Sequence, residues 1–309
     1  TTLSKLANLF VISRVSTFAY KGKATDVRRI AEELGVGSVL QGSVRKQGDR
    51  LRISSQLVDS TGAQRWSNTF DRNLEDIFAI QVEIADVVAS TVVPQITAPQ
   101  PSYQPKLDAY QHFLVGRELL RKRKDIRGEA RRQLQKAIEL DPAYAEAYAE
   151  LAATYAIGIV TPEDAEKAEA AIQTALTLQP GMPRALAAQG LLLQELGDPA
   201  ASETVLREVL EKDPNMVDAL NWIGNALAMQ CKPEEDMTRL ERAARLDPLN
   251  GAIAVNIAGR FSRRGDYERA EHELLRLLEM PDPGLYPYIE LRELYSDTGR
   301  LVDLNLIEK

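Results

Sequence analysis

The feature that most constrains this chain is a set of prolines that recurs at nearly constant intervals over its C-terminal two-thirds. These prolines are Pro142, Pro180, Pro214, Pro248 and Pro281, and they are spaced by 38, 34, 34 and 33 residues. Because proline disfavours helix at the residue before it, each one is expected to follow the end of a helix. An interval of 34 residues accommodates two short helices and their turns. The spacing therefore predicts a series of stacked helical hairpins.

The residues between the prolines repeat as well. The repeat from Val217 to Pro248 has apolar or small residues at Leu220, Ile223, Gly224, Leu227, Leu240 and Ala243. Similar patterns occupy Ala145–Pro180, Pro183–Pro214 and Gly251–Pro281, with a degenerate first repeat from about Ala109 and a partial last one near Leu285. The repeat from Ala145 carries about four extra residues around Ile159–Glu163. Small residues at fixed positions let paired helices approach closely, and larger ones fill the space between hairpins.

This period and pattern resemble the tetratricopeptide repeat (TPR) family. The resemblance implies an all-α solenoid, a right-handed superhelix of helical hairpins, whose concave face is lined by the first helix of each hairpin and binds a protein or peptide. The residues predicted to line this groove are Tyr148, Asn221, Trp222, Asn225, Asn256 and Arg260. An ordinary polar surface is the alternative interpretation of the three asparagines.

Two of these asparagines occupy positions that resemble the carboxylate clamp of chaperone cofactors. Asn225 and Asn256 lie where such clamps place asparagine. The clamp also needs lysine at the position of Asn221, and further basic residues at the positions of Leu285 and Ile289. These departures disfavour binding of a chaperone C-terminus.

The N-terminal part of the chain has a different pattern and predicts a small α+β domain. Residues 1–97 are assigned to this domain, 98–107 to a linker and 108–309 to the repeats. The predicted elements are a β-rich run at Leu9–Val15, a helix at Asp26–Leu34, strands at Val36–Arg45, Leu51–Asp59 and Gln64–Phe70, and a helix at Leu74–Val93. Short turns between the strands predict an antiparallel meander.

Several phrases of this region resemble the TolB amino-terminal-like (FlgO-like) domain of bacteria. They are Leu9–Arg14, Ser16–Gly22, Ala31–Val36, Leu40–Arg45 and Asp71–Phe78. That domain commonly precedes TPR repeats in the C-terminal half of class III adenylate cyclases and of winged-helix regulators similar to CadC. The family domain usually opens with a strand and a helix before the position of Thr1, and neither they nor an output domain are in the sequence. The resemblance implies a sensory or regulatory half.

The sequence offers no pattern for catalysis, a metal or a cofactor. Its two histidines, His112 and His272, belong to no cluster with metal-ligand spacing. Cys231 is the single cysteine, so no internal disulfide forms, and a buried or inter-helix thiol is expected. A glycine-rich stretch at 35–42 lacks the lysine of a phosphate-binding loop. We therefore expect this chain to be no enzyme.

Charge and hydropathy limit the partners. Residues 1–97 hold 12 Lys and Arg against 10 Asp and Glu, whereas the remainder holds 26 against 35. An acidic repeat region disfavours direct binding of nucleic acid, which needs a basic face. The sequence shows no membrane segment and no signal peptide. A protein or peptide ligand is expected, with a homodimer as a further candidate. A cytoplasmic location is preferred, with the periplasm as the alternative for a CadC-like parent.

Three functions follow from these observations. The leading one is a non-enzymatic interaction and regulatory module that binds a protein or peptide in the repeat groove. The alternatives are the regulatory half of a class III adenylate cyclase and that of a winged-helix transcription regulator. Both alternatives place the output domain upstream of this sequence.

Overall fold

The computed structural model describes residues 3, 9–23, 25–93, 103–121, 126–158, 160–279 and 286–300. The chain divides into two compact units, 1–107 and 108–309. Part of the predicted linker, 98–102, lies outside the described residues.

The first unit combines a three-stranded sheet with helices. The sheet is antiparallel with strand order β1-β2-β3. Its elements are α1 (Arg14–Phe18), α2 (Val27–Leu34), β1 (Ser38–Gln47), β2 (Arg50–Asp59), β3 (Gln64–Asn73), a 3₁₀ turn (Leu74–Asp76) and α3 (Ile77–Val92). The predicted meander and both flanking helices are confirmed.

The ends of α2 show how local sequence sets this unit. The Asp26 carboxylate accepts a hydrogen bond from the Arg28 amide at 2.9 Å and caps the helix start. Gly35 ends the helix with φ of 62°, a left-handed conformation that glycine adopts without strain. The core then forms where Leu51, Ile53 and Phe70 pack against Ile80 of α3.

The strand predicted at Leu9–Val15 is wrong. Residues 9–13 are irregular, and helix α1 begins at Arg14. A β-prone segment becomes a strand only when another strand pairs with it. The three-stranded sheet offers this segment no pairing among the described residues.

The second unit is a stack of helical hairpins. Its helices are α4 (Leu107–Arg121), α5 (Arg131–Leu140), α6 (Ala145–Ala156), α7 (Pro162–Leu178), α8 (Pro183–Glu195), α9 (Pro199–Lys212), α10 (Val217–Met229), α11 (Pro233–Leu246), α12 (Gly251–Arg263), α13 (Tyr267–Leu278) and α14 (Tyr286–Asp297). A π-helical turn, Ile126–Ala130, precedes α5. The fold class, an α+β unit followed by TPR-like helical repeats, agrees with the prediction.

Helix ends and helix pairing follow the repeat pattern. Helices α5, α9 and α11 each end at the residue before an Asp-Pro pair, as the pattern predicts. Within hairpins, a Cβ added at Gly190 would lie 2.6 Å from Leu206 Cγ, and one at Gly224 would lie 3.0 Å from Leu240 Cγ. Glycine is needed there because the partner leucine occupies the space of a side chain.

The turns inside the hairpins are also repeated. Gly197, Gly265 and Gly299 each follow a first helix with positive φ, of 86°, 77° and 72°. Cys231 occupies the same point of its hairpin, 34 residues after Gly197, with φ of 57°. It is exposed, which corrects the expectation of a buried thiol. The predicted four-residue insertion falls between α6 and α7, where Thr161 Oγ1 caps α7.

Candidate functional site

The first helices α6, α8, α10 and α12 lie side by side, and their shared surface is here called the first-helix face. Helix α6 contacts α8, and α8 contacts α10. Helices α10 and α12 are joined by hydrogen bonds described below. This face carries the residues predicted to bind a partner.

The first-helix face of α6, α8 and α10 is held together by one arginine. Arg184 on α8 donates to Glu150 Oε2 on α6 at 2.7 Å and forms a second ion pair with Asp218 on α10. The Arg184 guanidinium also lies 5.9 Å from the Trp222 ring centroid. Glu150 is 4% exposed, so its charge depends on this pairing.

The predicted residues of α10 and α12 form a second network. Asn256 Nδ2 donates to Asn221 Oδ1, and Arg260 Nη2 donates to Asn225 Oδ1, both at 2.8 Å. Arg260 Nε also contacts both carboxylate oxygens of Asp236 on α11, at 3.0 and 3.3 Å. The structure thus brings four predicted residues together and joins them to an acidic residue that the sequence did not single out.

The two predicted aromatic residues lie apart from this network. Trp222 is 4% exposed and belongs to the hydrophobic core, so only a small part of its ring faces solvent. Tyr148 is half-buried and packs against an alanine-rich cluster that includes Ala149 and Ala185. Both aromatic rings support the helices beneath the face, and their role in binding stays a prediction.

Helix α12 leaves part of its face open. Asn256, Arg260 and Arg263 follow one another at helical spacing, and Gly259 lies among them without a side chain. The nearest atom that a Cβ on Gly259 would meet is Arg263 Nη2, at 4.0 Å. Gly190 and Gly224, in contrast, have no such room. A groove large enough for another chain is therefore best supported at α12.

The two buried arginines differ in electrostatic balance. Burial lowers the pKa of Arg184, but Glu150 and Asp218 more than offset this, so the pKa lies above its ordinary value. Burial also lowers the pKa of Arg260, and its single ion pair with Asp236 does not restore the ordinary value. Arginine stays charged in both cases. The positive charge of Arg260 is thus less fully balanced than that of Arg184.

Features expected of a catalytic or metal site are scarce. Among the residues that the structure describes, no group of three or more His, Cys, Asp or Glu side chains is arranged to hold a metal ion. The most buried carboxylates of the first-helix region, Glu150 and Asp236, are engaged by arginine. Over the same described ranges, no helix has the length and apolar character needed to cross a bilayer.

The sequence analysis missed Glu150, Arg184 and Asp218. These residues are spaced by 34, the repeat length, and carry alternating charges. Equal spacing places them on neighbouring first helices, so oppositely charged residues one repeat apart are a signal that could have identified the ladder. Asp236 had no comparable signal, because it lies on a second helix and reaches Arg260 only through the tertiary fold.

Comparisons with known proteins agree with the repeat assignment. Residues 187–251 match the family model described as the tetratricopeptide repeat. A Rhizobium meliloti (strain 1021) protein, named as a candidate adenylate cyclase 3, is 41% identical over 158 residues. This similarity covers 49% of the present chain and 27% of that protein, so the chain spans about a quarter of the relative's length.

Solved structures with similar folds include other TPR proteins. A thermophilic TPR protein of Thermus thermophilus has a TM-score of 0.49 and 15% identity, covering 60% of this chain and 98% of that one. The pilF protein of Pseudomonas aeruginosa has a TM-score of 0.45 and 19% identity, covering 65% and 88%. The hairpin stack and the family match identify the C-terminal unit as a TPR-type repeat region, a fold that is generally non-catalytic and mediates contacts between proteins.

Proposed function

We propose that this chain is a non-catalytic interaction and regulatory module whose first-helix face binds an extended segment of a partner protein. The observation that carries the proposal is the open stripe on α12, where Gly259 leaves room between Asn256 and Arg263. Repeat proteins bind along such surfaces because each helix adds a further row of side chains. The polar groups there are held in place by neighbouring repeats, which lowers the entropy lost on binding.

The groove can be tested by filling it. Gly259→Trp places a large side chain in the open space without removing a helix contact, since its added Cβ meets only the Arg263 tip. Leu275→Trp is the matched control, because Leu275 lies on second helix α13 and is 44% exposed. The folded variants are compared with the wild-type chain by affinity capture from the source cells and quantitative mass spectrometry.

The expected outcome is a set of proteins enriched by the wild-type chain and by Leu275→Trp but lost with Gly259→Trp. Equal enrichment by all three folded chains would contradict the groove. Arg260, which the sequence also predicts to line the groove, is less suited to this test. Reversing its charge would place a second carboxylate beside Asp236 and unfold the hairpin.

A second candidate function, the regulatory part of an adenylate cyclase, has one specific observation in its favour. The relative that is 41% identical over 158 residues is named as a candidate adenylate cyclase. The resemblance of residues 1–97 to the TolB amino-terminal-like domain points the same way. In this proposal the chain transmits partner binding to a catalytic domain elsewhere in the same polypeptide.

Mass spectrometry of the native polypeptide tests this candidate. Peptides from a class III cyclase domain in the same polypeptide, with cyclic AMP formed by that polypeptide, would support it. A native polypeptide whose peptides include no cyclase domain would contradict it and leave a free-standing adaptor.

A further inference from the structure

We propose that the α10–α12 part of the first-helix face binds an acidic side chain of the partner segment, through Asn225, Arg260 and Arg263. This inference rests on the proposed function and adds the chemistry of the ligand to it. The partner class is a protein segment that carries Asp or Glu, bound in extended form along α12.

The orientation of the Asn225 amide is the first step. A guanidinium has only donors, so the Asn225 atom that contacts Arg260 Nη2 at 2.8 Å must be the carbonyl oxygen. The amide nitrogen therefore points away from Arg260. It makes no hydrogen bond within the described part of the chain, so both of its hydrogens are available to an acceptor.

The second step concerns the two arginines of α12. Arg260 uses Nε for Asp236 and Nη2 for Asn225, while Nη1 contacts no acceptor among the described residues. Arg263, one turn further along the same face, makes no hydrogen bond or ion pair there. The face thus presents unused donors from three side chains and at least one unpaired positive charge.

The third step is the balance of charge around these donors. Asp236 is 2% exposed and already bound to Arg260, so it cannot also serve Arg263. Glu290 on α14 is the carboxylate whose charge interacts with that of Arg263, but the two form no ion pair. Burial and the neighbouring Glu293 raise the pKa of Glu290, which fits a carboxyl group without a close cationic partner. A carboxylate from a ligand would meet donors that no acidic residue of the described chain occupies.

The test uses a change that keeps the internal bond and reverses the outward group. Asn225→Asp retains an oxygen for Arg260 but replaces the outward amide donor with a carboxylate oxygen. Asn215→Asp is the matched control, because Asn215 Oδ1 also accepts from an arginine, Arg242, at 3.3 Å and lies before α10 rather than on the face. Arg263→Gln removes the unpaired charge, with Arg264→Gln as its control, since Arg264 donates to the Pro233 carbonyl.

The probes are immobilised peptides of about 12 residues, a length that spans several turns of α12 when extended. Each sequence is made in three versions, with Asp and Glu, with Asn and Gln, or with Lys at the same positions. Binding of the full 309-residue chain, these four variants and Gly259→Trp is measured on the same array.

The inference expects the wild-type chain to prefer the acidic versions, with binding weakened about tenfold by Asn225→Asp and Arg263→Gln and unchanged by both controls. Peptides that bind equally in acidic and uncharged versions, with Asn225→Asp as strong as wild type, would overturn the inference while leaving the groove intact. Peptides that bind Gly259→Trp as tightly as the wild-type chain would instead overturn the proposed function. Thermal unfolding of every variant checks that loss of binding is not loss of fold.

Discussion

The two halves of the first-helix face solve the same electrostatic problem differently. Between α6 and α10, Arg184 is shared by two carboxylates, so the buried charge is fully balanced within the chain. Between α10 and α12, Arg260 has one carboxylate and an amide, and the neighbouring Gly259 leaves the surface open. Balanced polar groups contribute to the stability of the stack, whereas unused donors at an open surface remain available to a ligand. The difference locates the proposed binding in the second half.

Loss of the Arg184 ladder should have the largest effect on stability. Arg184→Met leaves Glu150 buried without a cation, and breaking such a buried pair costs about 4 kcal/mol. Urea unfolding monitored by circular dichroism measures the change. A loss below about 1 kcal/mol would mean that the ladder is a surface ion pair of little weight.

Arg260 should be separable from its partner by a double-mutant cycle. Arg260→Met alone strands Asp236 and should cost about 3 kcal/mol, while Arg260→Met with Asp236→Leu should recover most of that loss. The same urea experiment applies. If the double variant is as unstable as the single one, the cost lies in packing around Arg260 rather than in its charge.

Two helix-interior glycines should respond to alanine with opposite signs. Gly190→Ala forces Leu206 to move and should destabilise the chain by about 2 kcal/mol. Gly259→Ala has open space and should stabilise the chain by about 0.5 kcal/mol, because alanine favours helix. Urea unfolding of both variants measures the two changes. A Gly259→Ala variant as unstable as Gly190→Ala would contradict the open stripe on α12.

The repeats, their boundaries and their close-packed positions could be predicted from the sequence because each depends on local pattern. Asp-Pro pairs end helices, and glycine meets leucine at a fixed spacing in each hairpin. The strand at Leu9–Val15 could not be judged locally, because strand formation depends on a partner elsewhere. The site was predicted only in part for the same reason. Asn225 and Arg260 were identified, but the contact between Arg260 and Asp236 arises from the packing of three helices.

The smallest expected change concerns the turn between α10 and α11. Cys231 holds the left-handed conformation that Gly197 and Gly265 hold in neighbouring hairpins, and a side chain there costs about 1 kcal/mol. Cys231→Gly should therefore raise the free energy of unfolding slightly, by less than about 1 kcal/mol, since glycine also gains freedom in the unfolded chain. Gly265→Ala is the reverse control and should lower it. A destabilised Cys231→Gly variant would assign the thiol a packing role.

Hydrogen exchange monitored by mass spectrometry, with and without a protein captured through the first-helix face, tests the central claim most directly. The account predicts slower exchange in α10 and α12 when the partner is bound, with α11 and α13 little changed. Protection confined to the second helices α11 and α13, or to the first unit, would contradict binding on the first-helix face.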